Sequence, residues 1–352
     1  MIAPGSTIGI IGGGQLGRML SMAAAQLGYK CHILDPDDDG PAAQVSAHFT
    51  KARYDDVNAL RAFGDQVDVA TYEFENLPVG PLEVLGDKLR PGTKSLAIAQ
   101  DRATEKQFIE RCGAQVAPWR AVSSEEEVAN AVADFGLPLV LKTRRYGYDG
   151  KGQAWIRSAD QAAIAWAAIG EEPAVAEAGI DFRAEFSVII ARWADGRHSF
   201  WDSPDNEHRD GILRRSTVPG RGAIDAQLAS ARGAALAIAE ALDHVGVLTV
   251  EFFAGPNGPI VNEIAPRVHN SGHWTIEGAV TSQFEQHIRA ICGLPPGSTE
   301  LAGRQATMDN LIGDDVNGWA ELVTDPRAHV HLYGKGDPRP GRKMGHVTRV
   351  TR

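Results

Sequence analysis

Glu251 and Glu263 sit in two apolar runs, LTVEFF (248–253) and PIVNEIAPR (259–267), on either side of the turn residues Gly255-Pro256-Asn257-Gly258. That pattern predicts an antiparallel hairpin. Both glutamates are equally distant from Asn257, so they should face each other with Cβ atoms ~5 Å apart. Two carboxylates so placed repel, and their strands are otherwise apolar. The pair is tolerable if a cation bridges it, if one acid keeps a proton, or if the strands form a solvated edge. Oxygen ligands shared with phosphate groups suit Mg2+. Asn262 and Arg267 add an amide and a positive charge nearby.

Further segments could bind anions. Lys142 ends an apolar strand and runs into the glycine-rich stretch RRYGYDGKGQ. A lysine beside backbone N–H groups suits nucleotide phosphates, although the spacing is not that of a P-loop. A plain hairpin with exposed basic residues would read the same way. Near the N-terminus, GGGQLGR follows a short strand and opens a helix. Its Gly12-x-Gly14-x-x-Gly17 spacing, with Asp35 at the end of the next strand, fits a dinucleotide site. Arg18 directly after the last glycine points instead to another phosphate ligand, and tight packing alone is a third reading. The run APRVHNSGHWT (265–275) gathers Arg267, His269, Asn270, Ser271 and His273. These are hydrogen-bond donors, or simply the polar residues of a surface loop. The segment LYGKGDPRPGRKMGH carries Lys335, Arg342 and Lys343, which form either a phosphate pocket or a solvated basic turn.

Regular elements must hold these groups in place. Thr7–Ile11 reads as a buried strand, 16–27 as a helix closed by Gly28, and 31–34 as a second strand. A helix over 55–63 and a strand over 67–71 follow, which makes parallel βαβ units. Helices are expected over 102–111 and from the Ser123-Ser124-Glu125-Glu126-Glu127 start, where serine caps and acids favour the first turn. Strands at 139–142 and 174–177 bracket a helix over 159–168. The stretch 182–291 reads as mostly antiparallel with an Ala-rich helix over 226–242, and a strand- and turn-rich piece follows Leu294-Pro295-Pro296-Gly297. The expected division is 1–100, 101–295 (with a small subdomain at about 120–178) and 296–352.

Composition bounds the function. The chain has 352 residues, 35 Lys+Arg against 45 Asp+Glu, and a formal net charge of −10. Such a balance argues against a general nucleic-acid binder, which needs excess clustered cations. Three widely spaced cysteines describe neither a disulfide framework nor a zinc site and suit a reducing compartment. No apolar run reaches the ~20 residues of a membrane span, and the N-terminal stretch is unlike a signal peptide. A cytoplasmic protein is expected, with no nucleic-acid or membrane partner.

The order of these motifs resembles the ATP-grasp superfamily. More narrowly, GGGQLGRM, GYDGKGQ, NEIAPRVHNSGHWT and RPGRKMGH are similar to the 5-(carboxyamino)imidazole ribonucleotide synthases of purine biosynthesis. The resemblance runs from Gly12 to about Val347. It implies an α/β and α+β ATP-grasp fold: an N-terminal Rossmann-like domain, a small lid subdomain, a larger antiparallel-sheet domain and a small C-terminal β-rich domain. It implies a ligase that spends ATP to carboxylate 5-aminoimidazole ribonucleotide with bicarbonate through carboxyphosphate, giving ADP and phosphate. Mg2+, with Mn2+ able to substitute, would be the metal. Relatives are commonly dimers, and the mutase that acts next in the pathway would be a functional neighbour.

The resemblance also distributes roles. Arg102 and Lys142 correspond to ATP-phosphate contacts, and Gly147, Tyr148, Asp149, Gly150, Lys151, Gly152 and Gln153 to the lid loop. Glu177, Ala178, Gly179 and Ile180 resemble the hinge that reads adenine, Glu185 the acid that holds ribose, and His208 a further nucleotide contact. Glu251 and Glu263 correspond to metal ligands, with Asn262 beside them. Gln15, Leu16, Arg18, Glu73, Tyr148 and Asp149 fall on the ribonucleotide side, with Glu75 as the alternative to Glu73. Lys335, Arg342 and Lys343 match the pocket for its phosphate. Arg267 is expected to hold bicarbonate, Asp149 to accept the amine proton, and Lys142 to act in catalysis. Tyr146 stands where relatives often carry glycine, and Ala178 where they often carry a larger polar residue.

Three competing readings remain at this level. A formate-using glycinamide ribonucleotide transformylase would share the first loop and basic tail. A nucleotide sensor would keep Lys142 and the glycine-rich stretch without needing an acid pair. A nicotinamide-dependent dehydrogenase would use only the first loop and Asp35; in that case NADH fluorescence should change saturably on adding the protein. No saturable change is the outcome expected if the acid hairpin is the chemical centre.

Overall fold

The computed structural model describes residues 1–147 and 151–352. Its first sheet is parallel. Strands β1 (Thr7–Ile11), β2 (Lys30–Asp35), β3 (His48–Lys51) and β4 (Val69–Tyr72) lie in the order β3-β2-β1-β4. Ile8, Ile10, Ile11, Ile33 and Leu34 have no solvent exposure, as strands covered on both faces require.

The glycine-rich loop between β1 and the helix Gln15–Gln26 does not behave as a pyrophosphate cradle. Its N–H groups already have acceptors inside the chain. Gly14 and Gly17 donate to the Glu73 carboxylate, and Gly13 donates to Asp35. A Cβ on Gly12 would come within 2.4 Å of Glu73 Cγ, and one on Gly14 within 2.5 Å of Glu73 Oε1. These glycines are needed because a carboxylate packs against them at the start of the helix. Asp35 accepts from Gly13, Asp37 and the Tyr54 hydroxyl. The dinucleotide reading of this loop, and the dehydrogenase reading with it, are corrected on that ground.

A small antiparallel sheet follows. Strands β5 (Trp119–Val122), β6 (Leu139–Thr143), β7 (Gln153–Ile156) and β8 (Ala174–Ala178) are ordered β5-β8-β6-β7. The third sheet is nine-stranded: β9 (Glu185–Arg192), β10 (His198–Phe200), β11 (Asp205–Arg209), β12 (Ile212–Val218), β13 (Gly246–Gly255), β14 (Gly258–Ala265), β15 (Gln305–Ile312), β16 (Ala328–Leu332) and β17 (Lys343–Thr351). The path runs β14-β13-β9-β11-β12-β15-β17-β16, with β10 paired to β9. The C-terminal strands therefore extend the same sheet that carries the acid hairpin.

Strand β9 is buried almost throughout because both of its faces are covered. Phe186, Val188 and Ile190 pack with Ile224, Ala231, Ala235 and Ile238 of the helix Ala223–Ala241. Ile189 and Ala191 belong to a second core with the helix Gln283–Cys292 and Leu16, Met19, Leu20 and Ala23 of the helix Gln15–Gln26. Side chains alternate along a strand, so Ser187 and Glu185 share the face of Ile189. On β13, Leu248, Val250 and Phe252 join the first core, which leaves Thr249, Glu251 and Phe253 on the other face. Among the described residues, no helix is long and apolar enough to cross a membrane.

His287 joins the parallel sheet to the large one. Its Nδ1 accepts from the Val247 N–H at 3.0 Å, and Nε2 lies 2.8 Å from the Thr71 hydroxyl. Burial, then the neighbouring His244, lowers its pKa from 6.5 to about 3. The folded ring therefore stays neutral where the unfolded one takes a proton. Stability is fully present above pH 6.5 and is lost as pH falls toward about 3, at roughly 1.4 kcal/mol per pH unit from this group. His287→Gln should flatten the dependence of unfolding free energy on pH, measured in urea between about pH 6 and pH 4. An unchanged slope would mean that this ring is not held neutral by the fold.

Candidate active site

Two adjoining cavities, of about 380 and 370 Å³, share a wall made by Arg102, His208, Gly211, Glu251 and Glu263. The first is lined by Gln15, Leu16, Glu73, Glu75, Arg267, His269, Asn270 and Lys343, among others. The second is lined by Lys142, Lys151, Gly152, Gln153, the segment Glu177-Ala178-Gly179-Ile180, Glu185 and Asn262. Trp155, Phe182 and Phe253 give this second cavity an apolar side, and the two phenylalanine rings are 4.6 Å apart.

The acids at the shared wall face each other, but the turn alone does not set that register. Gly255 pairs with Gly258, which makes a two-residue Pro256-Asn257 turn centred before Asn257. A register shift between Glu251 and Phe252 moves Glu251 from Asn262 to Glu263. The extra residue on β14 is a bulge, which re-aims side chains locally. Asn262 comes within 3.4 Å of Lys142 Nζ. Each acid has a cationic or hydrogen-bonding neighbour: Glu263 Oε2 is 3.0 Å from Arg102 Nη1, and Glu251 Oε1 is 3.0 Å from His269 Nε2. Burial alone would raise Glu251. The hydrogen bond and charge of His269, then His208 and Lys343, outweigh it and hold the carboxyl well below its usual range. Among the described residues no three His, Cys, Asp or Glu groups cluster as metal ligands. Two facing carboxylates beside a nucleotide-sized cavity nevertheless fit Mg2+, which commonly takes one or two carboxylates and completes its shell with phosphate oxygens and water.

Lys142 and Glu177 are diagonal neighbours on β6 and β8, because Val140 is the residue opposite Glu177. Lys142 Nζ lies 3.1 Å from Glu177 Oε2, and Lys106 Nζ lies 3.3 Å from Oε1. Burial would raise Glu177, but Lys142, Lys106 and Arg102 pull it down to about 2. For Lys142 burial wins, and its pKa is lowered despite Glu177. Arg102, Glu105 and Lys106 occupy one face of the helix Arg102–Arg111 by their i, i+3, i+4 spacing. Asp101 caps that helix through the Ala103 and Thr104 N–H groups and also binds Arg144. Glu105 accepts from the Ile264 N–H at 2.7 Å; burial first, with Glu263 adding, raises it to about 8 against the pull of Arg102. At the second cavity, His208 Nδ1 is 2.8 Å from Glu185 Oε2, and that bond raises His208 against the effect of burial.

Arg267 and Glu75 form a two-point pair, with Nη2 to Oε1 at 2.9 Å. Glu73 lines the same cavity while accepting from Gly14 and Gly17, and burial raises its pKa. Arg18 reaches Pro41 O and Gln44 Oε1 and is not among the lining residues. Gln44 Nε2 donates to Gly334 O, so Arg18 and the basic tail are linked through one amide. Lys335 lies 5.7 Å from the Tyr333 ring and Arg342 donates to Asp337 O, both outside the lining that Lys343 shares. Tyr148, Asp149 and Gly150 lie outside the described residues, whereas Gly147 lines the first cavity. Sequence reasoning missed Lys106, Glu105 and the aromatic side of the second cavity. No local signal marked the first two, because charged residues one turn from Arg102 on a helix are ordinarily solvated.

Three family models match the chain. A ribonucleotide synthetase preATP-grasp domain covers residues 5–100, an ATP-grasp domain covers 107–284, and a phosphoribosylaminoimidazole carboxylase C-terminal domain covers 306–352. The chain is 50% identical to the N5-carboxyaminoimidazole ribonucleotide synthase of Brucella melitensis over 99% of its own length and 97% of that protein. It is 43% identical to that of Bacillus subtilis over 99% and 92%. A crystal structure of an N5-carboxyaminoimidazole ribonucleotide synthetase with ADP superposes with a TM-score of 0.95 at 41% identity, covering 100% of this chain and 94% of that one. The Aspergillus clavatus enzyme with ADP and 5-aminoimidazole ribonucleotide gives 0.92 at 32% identity, over 99% and 94%. The chain therefore belongs to the N5-carboxyaminoimidazole ribonucleotide synthases, ATP-dependent ligases built on the ATP-grasp fold.

Proposed function

We propose that this chain uses ATP and bicarbonate to carboxylate the exocyclic amine of 5-aminoimidazole ribonucleotide in purine biosynthesis. The observation that carries the reading is the pair of cavities meeting at Glu251 and Glu263. A phosphoryl group can leave a nucleotide in one cavity and be accepted in the other only at such a shared wall.

In this reading a bicarbonate oxygen attacks the γ-phosphorus, ADP leaves, and carboxyphosphate forms. The amine then attacks the carboxyl carbon, or CO2 released beside it, and phosphate departs as the amine loses a proton. The phosphoryl transition state spreads negative charge over oxygens, so positioning and charge do most of the work. Lys142 and Arg102 face the phosphates, and Glu177 through Ile180 with Glu185 and His208 hold adenine and ribose. Mg2+ held by Glu251 and Glu263 would supply further positive charge there. Arg267, fixed by Glu75, holds bicarbonate, and Asp149 takes the amine proton. Gln15, Leu16, Glu73 and Lys343 contact the ribonucleotide, with Arg18, Lys335 and Arg342 toward its phosphate. Functional units at 1–100, 101–295 and 296–352, a homodimer, a cytoplasmic location and a neighbouring mutase belong to the same proposal.

ADP release should require both bicarbonate and 5-aminoimidazole ribonucleotide, and should stop when divalent metal is chelated. Release driven equally by glycinamide ribonucleotide and formate would overturn the reading. Arg267→Ala should raise the bicarbonate concentration needed for half-maximal rate at least tenfold, about 1.4 kcal/mol of lost binding. Normal turnover at low bicarbonate would remove Arg267 from that role. Changing both Glu251 and Glu263 to Gln should abolish phosphoryl transfer while leaving a folded protein.

A further inference from the structure

Lys106 is a charged residue with almost no solvent to face: only 1% of it is exposed, and it lines neither cavity. A buried lysine needs a compensating partner, because an ammonium group is ordinarily solvated. Among the described residues, the carboxylate at ion-pair distance is Glu177, whose Oε1 lies 3.3 Å from Lys106 Nζ. The other oxygen, Oε2, is 3.1 Å from Lys142 Nζ. One buried acid therefore serves two ammonium groups through separate oxygens. The three side chains come from different elements: Lys106 from the helix Arg102–Arg111, Lys142 from β6 and Glu177 from β8. Of the two lysines only Lys142 reaches the second cavity, where Ala178, Gly179 and Ile180 also stand.

That asymmetry matters when a phosphate arrives. Lys142 must then give up its contact with Glu177 in part or in full. Were Lys142 the acid's sole partner, the move would leave a buried carboxylate with no opposite charge beside it, which is strongly unfavourable. The cost would be subtracted from phosphate binding. Lys106 lies outside the cavity and cannot follow the phosphate, so it stays on Oε1. The acid keeps a partner while Lys142 turns.

We propose that Lys106 is a positioning residue for ATP binding, which holds the Glu177 carboxylate so that Lys142 can leave it for a phosphate oxygen. Lys106 does not touch the nucleotide and acts through Glu177 and Lys142. This role rests on the second cavity being the nucleotide site proposed above, with Lys142 at the phosphates.

ATP and adenosine differ only in the triphosphate, so the ratio of their affinities reads the phosphate end alone. Both are measured by calorimetric titration with Mg2+ and without bicarbonate or ribonucleotide. Lys106→Met should lower the ratio roughly tenfold, because Lys142 stays on Glu177, while adenosine affinity changes by no more than about twofold. Lys106→Arg should keep the ratio within about threefold of the wild type, since the charge is retained with a different shape. In Glu177→Gln protein no buried charge is left behind, so adding Lys106→Met should change the ratio by no more than about twofold. An unchanged ratio in Lys106→Met would overturn the proposal. Equal losses for ATP and adenosine would do the same, since they would mark a lysine that only shapes the adenine side. A fall in the ratio that persists when Glu177 is already Gln would also refute it. If Lys106→Met alone does not fold, the Glu177→Gln proteins with and without it decide: equal ratios support the role and a lower ratio on adding Lys106→Met rejects it. Lys142→Met separates this role from the reading beneath it. An unchanged ratio there removes Lys142 from the phosphates, and the role of Lys106 with it. A ratio lowered by Lys142→Met but not by Lys106→Met leaves the nucleotide site standing and overturns the role of Lys106 alone.

Discussion

Two carboxylates on neighbouring strands of an otherwise apolar hairpin are the constraint around which the rest is organised. Left alone, Glu251 and Glu263 would repel in a region where charge is poorly screened. The fold answers with groups drawn from distant parts of the chain. Arg102 comes from the start of a helix, and His269 from the loop after the hairpin. The acid pair stands where two cavities meet, one polar and rich in hydrogen-bonding groups, the other mixed, with an apolar side formed by Trp155, Phe182 and Phe253.

The same logic recurs at smaller scale. Glu177 is shared between two lysines, so its charge is matched by Lys106 as well as by Lys142. Glu73 fills the N–H groups of the glycine-rich loop that a free anion would otherwise find. Glu75 holds Arg267 at two points. Each is a buried or half-buried acid whose partner is also a candidate binding group or lies next to one. Pre-organised charge of this kind costs stability when it is built and needs no rearrangement when substrate arrives.

Much of this was legible from residue types and spacing. The apolar runs around Glu251 and Glu263 and the turn between them gave the facing pair, and Ala174–Glu177 and Arg102–Arg111 fell close to their observed limits. The facing pair came out correctly although the assumed turn was one residue too long, because the bulge midway along the pairing, between Glu251 and Phe252, adds the residue back. A bulge leaves no mark in a hydrophobic pattern. The glycine-rich loop misled because the acceptor that fills it, Glu73, is 59 residues from Gly14. Local spacing cannot report a partner that only the tertiary fold supplies. Lys106 was missed for the same reason: a lysine in a helix is ordinarily solvated, and only its burial against Glu177 gives it a role.

The placement of β15 has a consequence for how the molecule is made. Arg215 on β12 pairs with Asp309 on β15, 94 positions later, and β17 then closes on β15. While the ribosome is still adding the intervening stretch, β12 presents an open row of backbone donors and acceptors. The nascent chain must carry that sticky border until those 94 positions have been added, which makes it a place where a holdase chaperone would be useful.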